Sequence, residues 1–158
     1  MNSTHAAAAF GVGMGRGDLQ LVTFYMDGHQ FAVDVDDVFG IYHGLPLIPT
    51  PDLAACMDGE IQVSDQRIPV VNLRRFAGLP EAQAEGTNWV VAMTQPGGPV
   101  GLAVDRVAEV VRLEPRALAA AHGQVDAPVG EYIQATAGYH GRTLLLPDVS
   151  RLIQDATY

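Results

Sequence analysis

Short apolar runs broken by turn-forming residues dominate this chain, and they predict strands. From Leu19 to Met26 both alternating faces are apolar, Val22, Phe24 and Met26 on one and Leu19, Leu21 and Tyr25 on the other. A strand apolar on both faces is buried on both. Asp27-Gly28 then gives a tight hairpin turn, and Phe31 and Val33 continue the returning strand. Asp34 is placed to cap a short helix running through Val38, with Asp36 and Asp37 in its first turn. Pro46, Pro49 and Pro51 make Leu45 to Pro51 an extended loop.

The rest of the chain repeats the pattern. Gly59 to Val63 and Arg67 to Asn72 predict a hairpin turning at Ser64-Asp65-Gln66, followed by a helical turn, Leu73 to Ala77, stopped by Gly78 and Pro80. Polar Glu81 to Thr87 reads as the connection between two halves. Trp89 to Thr94 and Val100 to Val104 flank a Pro96-Gly97-Gly98-Pro99 turn, and Val107 to Leu113 is a further strand. Pro115 to Ala121 reads as a short helix or turn, Tyr132 to Tyr139 with Arg142 to Leu146 as the last hairpin, and Val149 to Gln154 as a terminal helix. Many short strands with brief helices describe a mainly β, barrel-like fold.

Two stretches echo each other. Ala32-Val33-Asp34 leads into Val38-Phe39-Gly40-Ile41, and Ala103-Val104-Asp105 leads into Val107-Ala108-Glu109-Val110. Each is followed by a strand pair ending in a short basic helix, Arg67 to Arg75 and Arg142 to Arg151. A unit built twice predicts two similar lobes with a seam between them. A seam without reactive side chains is a docking surface, which favours an adaptor over an enzyme.

Composition narrows the choice. The formal charge of −9 argues against nucleic acid and against a polybasic membrane anchor. All 9 basic residues are arginine, so lysine chemistry is excluded. Cys56 is the single cysteine, which rules out an internal disulfide and suits a reducing cytoplasm. No apolar run reaches the ~18 residues of a membrane span. Residues 1–17 lack the basic start of a signal peptide and read as a flexible tail.

The candidate chemistry is thin. His5, His29, His43, His122 and His140 form no i, i+4 pair, and His29 and His140 sit beside glycine at hairpin tips. A calcium loop counted from Asp34 would need Gly and Glu where Phe39 and Leu45 stand. Gly11, Gly13, Gly15 and Gly17 have no strand before them and no helix after, so they do not make a phosphate loop. Ser3, Ser64 and Ser150 lack a nucleophile-elbow context. Cys56 reads as a buried structural thiol, and Glu60, Asp65 and Asp105 as acidic groups whose pairing spacing does not reveal.

The second hairpin carries a resemblance. Gly59 through Leu79, with Ile68-Pro69-Val70-Val71-Asn72-Leu73-Arg74-Arg75, is similar to the signature of CheW-type chemotaxis coupling proteins. Leu21 to Phe24, Gly101 to Val110 and Leu145 to Leu152 extend the likeness over roughly Leu19 to Ile153. The resemblance implies two small five-stranded SH3-like β-barrel subdomains packed together, spanning residues 18–155. It also implies a non-catalytic cytoplasmic adaptor, without cofactor or metal, joining the cytoplasmic tip of chemoreceptors to the regulatory domain of a CheA-type histidine kinase.

There are departures. Gln62, Ser64, Asp65 and Asn72 stand where the family has Asn, Arg, Gly and Asp, and Gly40 falls where an acidic residue is common. A hydroxyl does not reproduce a guanidinium fork, so an altered partner is expected, or a chemosensory-like system with another output such as pilus motility. A small ligand- or metal-binding β-barrel, or an enzyme, stays open as a rival. The expected partner contacts are Val38, Gly40 and Ile41, then Gln62, Ser64 and Asp65 on the hairpin, and Val90 and Val107 near the seam.

Overall fold

Eight apolar-rich residues, Leu19–Met26, form strand β1, which turns through Asp27 and Gly28 into β2, His29–Asp34. Both turn residues have positive φ, 53° and 78°, as the mirror-image turn of a tight hairpin needs. The computed structural model describes residues 17–51, 53–80, 89–121 and 125–157. The tail through Arg16, with His5, Ser3 and three of its spaced glycines, lies outside the described residues, as do segment 81–88 and His122.

After β2 the chain makes a single 3-10 turn, Val35–Asp37, rather than a helix reaching Val38. Asp34 does cap it, accepting the Asp36 N–H at 2.8 Å. Val38 instead opens β3, Val38–His43, a strand the sequence pattern did not predict. Then come β4, Met57–Val63, and β5, Gln66–Asn72, a four-residue helix α1, Leu73–Phe76, and strands β6, Trp89–Met93, and β7, Val100–Val104. Strand β8, Arg106–Leu113, leads to a 3-10 turn at Pro115–Ala117 and a short β9, Leu118–Ala120. The expected helix or turn at 115–121 is therefore half strand. Strands β10, Ile133–Tyr139, and β11, Arg142–Pro147, and helix α2, Val149–Ala156, end the chain.

Two sheets result, and the protein is mainly β. One has six strands in the order β8-β1-β2-β11-β10-β9, and the other has five in the order β3-β6-β7-β5-β4. The expectation of five strands per subdomain misses β9. Its three residues pair with Ala135, Thr136 and Ala137 of β10. The chain divides into two units, residues 1–37 with 108–148 and residues 38–107 with 149–158. Segment 81–88 has both flanks in the second unit, so it connects parts of one unit and not two halves. Two of the three boundaries fall at the echoes, between Asp37 and Val38 and between Val107 and Ala108, and the third lies between Asp148 and Val149.

In the first unit Leu19, Leu21, Ala32, Val111, Leu113, Leu144 and Leu146 share a core, each large side chain contributing roughly 1.5–3 kcal/mol. Thr23 is fully buried, and its hydroxyl donates to the Glu109 carbonyl at 2.7 Å and accepts the Glu109 N–H at 3.1 Å. A buried hydroxyl needs such partners. In the second unit Ile61, Ile68, Val70, Val90 and Ala92 form the core.

Candidate partner-docking surface

β3 ends the five-stranded sheet and pairs only with β6. Its residues alternate between half-buried (Val38, Gly40, Tyr42) and exposed (Phe39, Ile41, His43). Phe39 and Ile41 are 45% and 39% exposed, unusual for large apolar groups on a strand edge. A bulge between Val38 and Gly40 sets Phe39 off the regular ladder. Tyr42 lays its phenol over Gly40, so a side chain there would displace the ring. At the end of the strand His43 stacks on Trp89, its partner in β6, with ring centres 4.0 Å apart. Leu47, 37% exposed, adds another apolar group just beyond β3.

The β4–β5 hairpin lies at the other end of the same sheet, with β6 and β7 between it and β3. Its turn is two residues, Ser64-Asp65, because Val63 pairs with Gln66. Ser64 holds φ at 54°, in the left-handed region. Gln62 ties the tip together, its Nε2 donating to the Ser64 carbonyl at 2.8 Å and its Oε1 accepting from Arg67 Nε at 3.2 Å. Gln62, Ser64 and Asp65 are all exposed.

The structure places six of the expected contacts in two groups. Val38, Gly40 and Ile41 share β3, and Gln62, Ser64 and Asp65 share the hairpin tip. Val107 is half-buried near the start of β8. Val90 is the exception: it is 2% exposed, packed in the β-sheet core beside Ile68 and Val70, and presents nothing to a partner. Its apolar character marked core, which strand alternation could not separate from surface. Phe39 and the His43–Trp89 stack were missed because the sequence pattern predicted no strand between Val38 and Leu45.

The arginines after the hairpin are engaged within the fold. Asn72 caps α1 by accepting the Arg75 N–H at 3.0 Å, and its Nδ2 donates to Asp58 Oδ2 at 3.0 Å. Arg75 bonds Asp58 at 3.0 Å and the Ala55 carbonyl at 3.1 Å. Asparagine suits this position because a second carboxylate would face Asp58. Nearby, Gly59 has φ of 130°, and a β-carbon on it would run into the Ile48 carbonyl. Ile48 and Glu60 bridge there, with N–H to carbonyl bonds of 2.7 and 2.9 Å.

Cys56 is half-buried, not buried, and its carbonyl accepts the Asn72 N–H at 2.7 Å. Among the described residues no three His, Cys, Asp or Glu side chains converge to hold a metal. Among them also, no helix is long and apolar enough to cross a membrane.

The decisive comparison is with protein families: the CheW-like domain model matches residues 20–157. The chain belongs to the CheW-like family. It is 26% identical over 140 residues to the chemotaxis protein CheW of Thermotoga maritima, covering 89% of this chain and 91% of that relative. The CheW of Treponema pallidum is 24% identical over 137 residues, covering 84% and 81% of the two chains. The fold matches the crystal structure of the scaffolding protein TtCheW from Thermoanaerobacter tengcongensis with a TM-score of 0.74, at 18% identity over 83% of this chain and 89% of that one. A CheW-like chain of two β-sheet units is thus what the paired echoes encode.

Proposed function

We propose that this CheW-like protein is a non-catalytic cytoplasmic adaptor that couples chemoreceptor tips to a CheA-type histidine kinase in chemotaxis signalling. The family match over residues 20–157 carries the reading. The apolar edge of β3 supports it, because exposed Phe39 and Ile41 offer desolvation energy to a partner segment, and such anchors dominate binding. Ile41 presents its side chain in the first docking patch beside Phe39, and half-buried Val38 and Gly40 contribute the backbone of the same edge strand. Gln62, Ser64 and Asp65 form a polar second patch that sets specificity, with Val107 a further contact.

The test is co-sedimentation of the purified protein with receptor cytoplasmic fragments and the kinase from its own genome. A ternary complex is expected. Failure to bind any receptor or kinase of that set sinks the proposal.

A further inference from the structure

From Val38 through Pro51 the chain has no Asp, Glu, Lys or Arg, although such residues make up 17% of the protein. Four large apolar side chains are exposed among the described residues, and three of them, Phe39, Ile41 and Leu47, fall inside this stretch. Exposed apolar groups are ordinary when scattered singly and point to a contact when gathered.

The backbone that carries them is anchored. Tyr42 and Leu45 are half-buried against the core of Ile61, Ile68 and Val70. Ile48 is fastened to Glu60 of β4 by two backbone bonds of 2.7 and 2.9 Å. Leu47 therefore stands between two fixed neighbours, and Ile41 stands on the paired part of β3 opposite Val91. Groups held in place this way lose little freedom on binding.

Tyr42 adds a polar handle. Its phenol lies over Gly40, in the space a side chain there would take. The hydroxyl makes no hydrogen bond among the described residues. An aromatic body seated in a core with its donor uncommitted is the kind of group that anchors interfaces.

Charge selects the partner. A charged group set against this strip would lose its water and meet no opposite charge within it. The acidic pair Asp36 and Asp37 lies outside, in the turn ahead of β3.

We propose that the strip of Phe39, Ile41 and Leu47 receives an uncharged apolar segment of the docking partner, with the Tyr42 hydroxyl donating to a carbonyl of that segment. The inference rests on the adaptor reading and adds the partner's chemistry: association is driven by desolvation and is not steered by charge.

The test measures the affinity of the full chain for the kinase and for receptor fragments from its own genome, each separately, at about 0.05 M and about 0.5 M sodium chloride. Leu47→Glu, at an exposed loop position, identifies the complex that uses the strip and is expected to weaken it at least about tenfold. Ile41→Glu decides the matter should Leu47→Glu not fold. The complex so identified is expected to change in affinity by less than about threefold between the two salt concentrations. Tyr42→Phe, which keeps the ring, is expected to weaken it about three- to tenfold. A larger salt effect, or parent affinity for both partners in the folded glutamate variant, overturns this inference and leaves the adaptor reading standing. Parent affinity in folded Tyr42→Phe overturns the hydrogen bond assigned to its hydroxyl. No binding to either partner at either salt concentration overturns both readings.

Discussion

Arg74 holds Asp105 with two parallel bonds, Nε to Oδ1 and NH2 to Oδ2, each 2.7 Å long. Its third nitrogen, NH1, donates to the Pro80 carbonyl at 3.0 Å. Asp105 is the acidic residue of the second echo, and here it anchors Arg74. Lysine cannot make the paired contact. Arg74→Lys is expected to lower stability by about 1–2 kcal/mol, because the pair is only partly exposed, and a urea midpoint unchanged from the parent would refute it.

Asn72→Asp should be worse than its small chemical change suggests. It would set two carboxylates about 3 Å apart at Asp58, while the cap on Arg75 N–H survives. A loss of about 1–3 kcal/mol is expected at neutral pH, shrinking on acidification as one carboxylate takes up a proton. Equal stability of the two proteins at neutral pH would count against this account.

The Asp34, Asp36 and Asp37 cluster predicts a pH dependence. Burial, then the charges of Asp37 and Asp36, push the Asp34 carboxyl above its ordinary range, against the opposing hydrogen bond from Asp36 N–H. Burial and Asp36 do the same to Asp37. A raised folded pKa means the native state holds the proton more tightly than the unfolded chain. The stabilising contribution is therefore complete below the ordinary carboxylate pKa and lost as pH rises through the folded one. Asp34→Asn keeps the cap and removes the charge. Melting temperatures from about pH 3 to pH 7 should show the variant at least as stable as the parent at neutral pH, with that advantage vanishing in acid.

Ser64 pays a conformational cost at φ 54° that glycine would not. Ser64→Gly should be neutral or stabilising by up to about 1 kcal/mol, whereas Ser64→Arg should strengthen docking to conventional CheW partners. If Ser64→Arg leaves co-sedimentation unaltered, Ser64 does not belong to the docking patch.

Phe39 and Ile41 separate binding from folding. Because both are exposed, the double change Phe39→Ser with Ile41→Ser should alter stability by less than about 1 kcal/mol. Binding to receptor or kinase should fall at least about tenfold if the β3 edge is an anchor. Full retention of binding would remove that edge from the proposed interface.

Local chemistry made much of this fold legible. Asp27-Gly28 and His140-Gly141, all with positive φ, fix two hairpins that composition alone announces. The two-sided apolarity of Leu19–Met26 announced a buried strand, and its burial pattern agrees. Pairing across long stretches left no such trace. Strand β2 runs parallel to β11, Gln30 opposite Leu144, and β5 runs parallel to β7. No periodicity in either partner specifies the other. That is why the chain's division into interleaved units was misread as two halves joined at 81–87. The three acidic residues after Val33 similarly overstated a helix, since a one-turn cap followed by an edge strand uses the same residues.

At the candidate site, turn composition located the exposed hairpin tip. It could not say which valines were surface, because Val90 and Ile41 belong to equally apolar runs on neighbouring strands. Only burial distinguishes them.

The pairing of β2 with β11 has a consequence for the order of events on the ribosome. The five strands of the second unit are all made by residue 104, so that sheet can close while the last third of the chain is still being synthesised. The β1–β2 hairpin emerges first yet must wait for Leu144 and Leu145 before its second edge is covered. A nascent chain of this protein thus carries an exposed, greasy hairpin through most of its synthesis, and that hairpin is where a holding chaperone would be needed.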